Sequence, residues 1–141
     1  MEIYAKRFTK MALIYLSLGV VMGVVIGTQP QWSERLRFVH IHLNLLGFMT
    51  MFIAGVAYHV LPRFNSRPVP WPDGVKYHFI LHNAGLLGMA TTHLAGGLWS
   101  GGILHAAFVG FALMTGAGLL IMAGNLYFVL APAKEENDEG R

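Results

Sequence analysis

Apolar residues fill four windows of the chain, roughly 8–27, 38–61, 77–99 and 103–130. Each is close to the ~20 residues that a helix needs to cross a ~30 Å hydrocarbon core. The first is preceded by Lys6, Arg7 and Lys10, flanks that a signal peptide shares. However, the run is too long for an ordinary signal core, and Gly27-Thr28-Gln29-Pro30-Gln31-Trp32 holds no small-x-small cleavage pattern, so a retained helix is predicted. Between the second and third windows, the stretch from Pro62 to Gly74 reads as a proline-stiffened loop. Ser100-Gly101-Gly102 reads as a tight hairpin. Short connections favour antiparallel neighbours, so the pattern predicts an all-α fold: one domain, an antiparallel bundle of four transmembrane helices. No internal repeat is visible.

Composition fixes the class. With 55% hydrophobic and 12% charged residues and a mean hydropathy of +0.52, the chain exceeds what a soluble domain of its length carries, and an integral membrane protein surrounded by lipid is expected. Of its basic residues, Lys6, Arg7, Lys10, Arg63, Arg67, Lys76, Lys134 and Arg141 fall on one side of the predicted spans and only Arg35 and Arg37 on the other. The positive-inside rule then puts both termini in the cytoplasm, as expected of a multi-pass protein of the cell's inner membrane. Residues 131–141 form an acidic, solvated tail, and Trp32, Trp71 and Trp99 read as interfacial belt residues. No cysteine is present, which excludes disulfides, thiolate metal sites and iron–sulfur clusters within the chain. No nucleic-acid partner is expected.

The polar positions inside the apolar windows carry the chemistry. Seven histidines lie within them or at their ends, and an intramembrane ionisable group reads by default as functional. By depth they divide into an outer group, His40, His42, His93 and His105, and an inner group, His59, His78 and His82. Helical spacing places His78, His82, Gly85, Met89, His93 and Gly96 on one stripe of the third helix. In the second helix His40, Asn44, Gly47, Met51, Gly55 and Tyr58 share a face, while His42 points with Leu46, Met49, Ile53 and Val56. His40 thus ranks above His42 on facing. In the fourth helix His105 shares a face with Ala112, Gly116 and Ala123. Gly19, Gly23 and Gly27 form two overlapping GxxxG spacings, a packing face suited to a second copy of the chain.

A bare divalent ion among these spans would be poorly neutralised, because they contain no Asp or Glu. Heme b suits the residues better, since the porphyrin dianion neutralises ferrous iron and neutral imidazoles supply the axial bonds. Arg35 and Arg37 stand beside the outer histidines, where heme propionates would emerge. One heme per chain, or one shared at a dimer interface, is expected through two of His40, His42, His93, His105 and His82, with a second heme at His59, His78 and His82 as a weaker option. Electron transfer then calls for a redox partner protein or quinone. Two alternatives stay open: a copper or other transition-metal transporter or chaperone built on histidine and methionine, and a heme-free assembly subunit of a respiratory complex.

The segment His40-Ile41-His42-Leu43-Asn44-Leu45-Leu46-Gly47-Phe48, followed by Gly55-Val56-Ala57-Tyr58-His59-Val60-Leu61-Pro62-Arg63, resembles the second helix of heme-copper oxidase subunit I. It is most similar to the branch of high-affinity oxidases and nitric oxide reductases. In that family a histidine near the outer end of this helix ligates the low-spin heme, and the resemblance implies that role for His40 or His42. It covers about 25 residues. Family subunits have about twelve helices where this chain has four, and no His-His pair matches their copper site. The resemblance therefore implies a reduced heme-binding relative for electron transfer or for handling O2 or NO, with no catalytic residues of its own and not a complete oxidase alone.

Overall fold

The computed structural model describes residues 2–97 and 101–131. The acidic tail beyond 131, Trp99, and Ser100 of the expected hairpin lie outside them. Four helices account for almost all described residues: α1 (Glu2–Thr28), α2 (Pro30–Phe64), α3 (Pro72–Leu94) and α4 (Gly102–Leu130). Helices α1, α2 and α4 are longer than their apolar windows, while α3 starts and ends five residues before its window does. Helix α2 begins eight residues before the predicted start because Pro30 sits in its first turn, where its missing N–H costs nothing, and Glu34 opens the α-helical part. Helix α3 likewise starts with Pro72 and Asp73. It stops at Leu94 through a Schellman cap, in which Gly97 N–H bonds the Thr92 carbonyl at 2.8 Å and Gly96 N–H that of His93 at 2.9 Å. Gly96 has φ +94°, a left-handed value that glycine adopts without strain.

Helix α2 is not uniform. Its residues Leu43–Thr50 wind as π-helix between two α-helical stretches, and Thr50 Oγ1 donates back to the Leu45 carbonyl five residues earlier at 2.8 Å. Such widened turns are rare and collect at functional sites.

Helices pack in two main pairs, α1 on α2 and α3 on α4. In the first, Gly23 lies against His40, Gly19 against Asn44, and Gly55 against Thr9 and the Ala5 backbone. In the second, Gly118 lies against His78 and His82 and Gly85 against Thr115. Late residues of one helix thus meet early residues of the next. Of the three glycines expected to face a second copy, Gly19 and Gly23 are covered within the chain by Asn44 and His40, and Gly27 has open space around it.

Three helical stretches, Ile3–Thr28, Pro30–Phe64 and Gly102–Leu130, are long and apolar enough to cross a membrane. Large apolar side chains face outward along them: Val21 and Val24 of α1 and Leu113 and Leu120 of α4 are 60–74% exposed. A surface of that kind marks contact with lipid or protein. The sequence predicts a fourth span at α3, but that helix is not among the three described stretches that are long and apolar enough. That helix carries its histidines inward, His78 and His82 being 0% and His93 8% exposed.

Candidate functional site

Five members of the expected α3 stripe, His78, His82, Gly85, Met89 and His93, are buried on the helix, while Gly96 lies past its end in the cap. Their partners on the other helices divide the molecule into two sites, one at the Trp71 end and one at the Arg35 end.

At the Trp71 end, the π segment of α2 and the α-helical turns after it supply the partners. The Tyr58 hydroxyl lies 3.2 Å from His78 Nδ1, His78 Nε2 lies 3.3 Å from His82 Nδ1, and His82 Nε2 lies 3.0 Å from the Leu46 carbonyl within the π segment. The carbonyl can only accept, so His82 carries its proton on Nε2 and accepts on Nδ1. His78 must then donate from Nε2 and accept on Nδ1, where Tyr58 donates. Assigned from this network, both imidazoles are neutral and every bond points the same way. Phe8 of α1 packs on the His78 ring with centroids 4.7 Å apart. A Cβ on Gly118 of α4 would stand 3.2 Å from the His82 nitrogen and 3.4 Å from His78 Cδ2. The Asn125 side chain of α4 clasps the Trp71 backbone, N–H and carbonyl both at 3.2 Å. Asn125 also borders an open, mostly apolar groove of about 450 Å³ with Trp71, Leu120, Ile121 and Phe128.

His59, expected beside His78 and His82, is not there. It is exposed beside α1, where it borders a groove with Lys6 and Lys10, and is bonded through Nε2 to Arg63.

At the Arg35 end, the structure joins His42 and His93 through Phe38. The Phe38 ring stacks on His42 at 3.9 Å and on His93 at 4.2 Å, with interplanar angles of 29° and 26°. One face of a benzene ring cannot hold two stacked rings, so the imidazoles lie on its opposite faces. His42 Nδ1 donates to the Phe38 carbonyl at 2.8 Å, leaving Nε2 as the basic nitrogen. His93 Nδ1 is buried with no hydrogen-bond partner among the described residues. Arg35 donates to the Leu94 carbonyl at 2.8 Å, one residue past His93, and lines a cavity of about 380 Å³ with Gln31, Glu34 and His93. Arg37 instead reaches Ser33 at 3.2 Å.

His40 faces the interior, as its spacing predicts, but its neighbour is α1. Its Nδ1 bonds the Gly19 carbonyl at 2.9 Å, and its ring fills the hollow left by Gly23. His105 is exposed, with Nδ1 3.2 Å from the Gly97 carbonyl. The face expected of α4 is rotated: Phe108, Thr115, Gly118, Asn125 and Val129 are buried, while Ala123 is exposed.

The donors suit heme iron. His40, His42 and His105 each bind a backbone carbonyl through Nδ1, as ligating histidines commonly do to fix the tautomer and leave Nε2 free. His93 adds a buried nitrogen without a partner. The space does not yet suit it: Phe38 fills the gap between His42 and His93, and both imidazoles lie nearly flat on that ring rather than edge-on, as axial ligands stand. His78 and His82 have both nitrogens committed and are not available as ligands while those bonds hold. Among the described residues no group of three or more histidine, aspartate or glutamate side chains is arranged to hold a metal ion.

Sequence reasoning missed Phe38, Asn125 and the Leu46 carbonyl as members of these sites. Phe38 stands four residues before His42 in the sequence, the one available signal that the two rings meet. No family model matches the chain, and neither a curated protein nor a solved structure matches it.

Proposed function

We propose that the chain is a b-type heme protein of the inner membrane, an antiparallel four-helix bundle with both termini in the cytoplasm and its Arg35 end outward. His42 and His93 are its ligand pair, and the heme they hold serves electron transfer or the handling of O2 or NO. The observation that carries this reading is the buried His93 Nδ1 without a partner, across Phe38 from a His42 whose Nδ1 is committed to a backbone carbonyl; Phe38 must leave the gap and both imidazoles must turn before they could hold iron. The resemblance of the 40–63 segment to heme-copper oxidase subunit I supports it independently. A porphyrin brings four nitrogens of its own, so two protein donors suffice, whereas a bare transition-metal ion would ask for three or more. Bound heme would supply one-electron redox chemistry; the chain supplies the imidazoles, the apolar surroundings and Arg35 for a propionate.

Expression with ample heme, followed by optical spectroscopy of the purified protein, tests the reading. A Soret band is expected that His42→Ala and His93→Ala abolish or convert and that His40→Ala and His78→Gln leave in place. No Soret band, or one indifferent to both outer substitutions, overturns it. In the second case, co-purification with a larger respiratory complex would point to the assembly-subunit reading.

A further inference from the structure

Where the start of α1 meets the end of α2, the surface carries a groove that has no part in heme ligation. We propose that this groove is a site for one anionic phospholipid with two acyl chains. Its volume is about 400 Å³, and its floor is made of small residues, Ala5, Thr9 and Gly55. Gly55 lets the two helices touch along that floor, since a Cβ there would stand 2.6 Å from Thr9 Oγ1 and 3.0 Å from the Ala5 carbonyl. The Thr9 hydroxyl turns back to donate to the Ala5 carbonyl at 3.1 Å, so the floor is apolar. A second hollow of about 300 Å³ lies on the outer face of α2, lined by apolar side chains that include Phe52, Ile53 and Leu61. Val56 and Val60 border both hollows and form the ridge between them.

Charge is confined to the rim of the first groove. Lys6 and Lys10, about one helical turn apart and both exposed, stand on its α1 side, and His59 stands on its α2 side. Arg63 donates to His59 Nε2 and, at 3.0 Å, to the His59 carbonyl, which holds a third cationic side chain at the same end. Among the described residues no Asp or Glu lines either hollow. The rim lies near the start of the Ile3–Thr28 span and the end of the Pro30–Phe64 span, the level at which a bilayer carries its phosphates. Lysine stems can lie along apolar surface and lift their ammonium groups to that level. An anion joined to two hydrocarbon chains matches all three parts: phosphate at the rim, one chain along the Gly55 floor, and the other beyond the valine ridge. Inorganic phosphate would use the rim and leave both hollows empty. A neutral quinone would fill a hollow and leave the cations without a counter-charge. Basic pockets between helices near the membrane surface are of the kind that takes anionic headgroups.

Native mass spectrometry of the full-length protein in detergent, titrated with phosphatidylglycerol or with phosphatidylcholine of the same acyl chains, tests the site. One phosphatidylglycerol per chain is expected to bind about thirtyfold more tightly than phosphatidylcholine, the order that two basic side chains near a headgroup supply. Replacing both lysines, Lys6→Gln with Lys10→Gln, should abolish that preference. Arg7→Gln should leave it in place, because Arg7 is also exposed but lies over the Tyr4 ring and outside the groove. Val56→Trp fills both hollows and alters no charge, so it should weaken the two lipids together; Val56 is 44% exposed, and the larger ring meets no packed core. Inorganic phosphate in excess should not displace the bound lipid. Equal binding of the two lipids, a loss in Arg7→Gln as large as in the double variant, an unaffected Val56→Trp, or displacement by phosphate overturns the proposal. None of these readouts involves heme, so the lipid site and the heme reading fail separately.

Discussion

His78 and His82 at one end of α3 have all four ring nitrogens in hydrogen bonds, while His93, further along the same face, leaves Nδ1 buried and unpartnered. The residue type and the helix are shared and all three are buried, His93 somewhat less deeply; the larger difference lies in what α2 places opposite. Beside the inner pair stand a phenol and a π-segment carbonyl, and beside His93 stands the Phe38 ring. A satisfied buried polar group is tied to the stability of the fold. An unsatisfied one is a standing cost that a ligand would remove.

Substituting leucine at both positions is the strongest way to break this comparison. His82→Leu strands the His78 Nε2–H and the Leu46 carbonyl together and should cost about 3 kcal/mol, read as a fall in the denaturation midpoint in detergent. Interhelical hydrogen bonds are worth less in apolar surroundings than that burial cost suggests, about 1 kcal/mol each, so a fall of 2 kcal/mol would still fit. His93→Leu removes a polar atom that had no partner, and the ligand-free protein should be unchanged or more stable. Equal losses at both positions would show that His93 has a structural partner and would remove the basis for its ligand role.

Phe38→Ala comes next. Phe38 is half-buried and packs on two imidazoles and on Phe108, so its loss should destabilise the ligand-free protein by about 2 kcal/mol. The same substitution empties the space between His42 and His93 and should raise heme uptake in a titration followed at the Soret band. Opposite signs in the two measurements are the signature of a ring standing where a ligand belongs. Loss of stability together with loss of heme binding would make Phe38 part of the site's frame.

The ends of this comparison were not equally legible in the sequence. Spacing alone put His78, His82 and His93 on one face of α3, because steps of four and eleven residues return to the same side of a helix; that the face is buried could not be read from hydrophobicity, since the exposed Tyr77, Ile80 and Leu87 are apolar. It also separated His40 from His42. Spacing within one helix says nothing of what another helix brings opposite, so Tyr58 as a donor, the Leu46 carbonyl and Phe38 between two imidazoles were hidden. The π segment did not upset the facing of α2, whose expected stripe keeps Gly47, Met51, Gly55 and Tyr58 buried on both sides of it. In α4 the pattern failed outright: a helix apolar on all sides carries no moment to read, and the expected His105–Gly116 face lies beside the true one through Thr115, Gly118 and Asn125.

The rotated face of α4 yields the smallest and sharpest test, because two glycines two residues apart should respond with opposite sign. Gly116→Ala places its Cβ in open space, and alanine gains about 0.5–1 kcal/mol over glycine within a helix. Gly118→Ala places its Cβ 3.2 Å from the His82 nitrogen and 3.3 Å from the His78 carbonyl, both backbone atoms. Neither can rotate away, so α3 and α4 must part by a few tenths of an ångström, and the propensity gain should be lost to a net cost of about 1 kcal/mol. The displacement falls on the inner pair, which moves away from Tyr58 and Leu46 on α2 or carries them with it. Gly118→Ala should therefore alter the ring-proton exchange of His78 and His82 while leaving the Soret band of the heme-loaded protein as it is. Gly116→Ala should change neither. If the two substitutions behave alike in the melting midpoint, α4 turns its Gly116 face to α3, and the partners assigned to the inner histidines on that side fall with it.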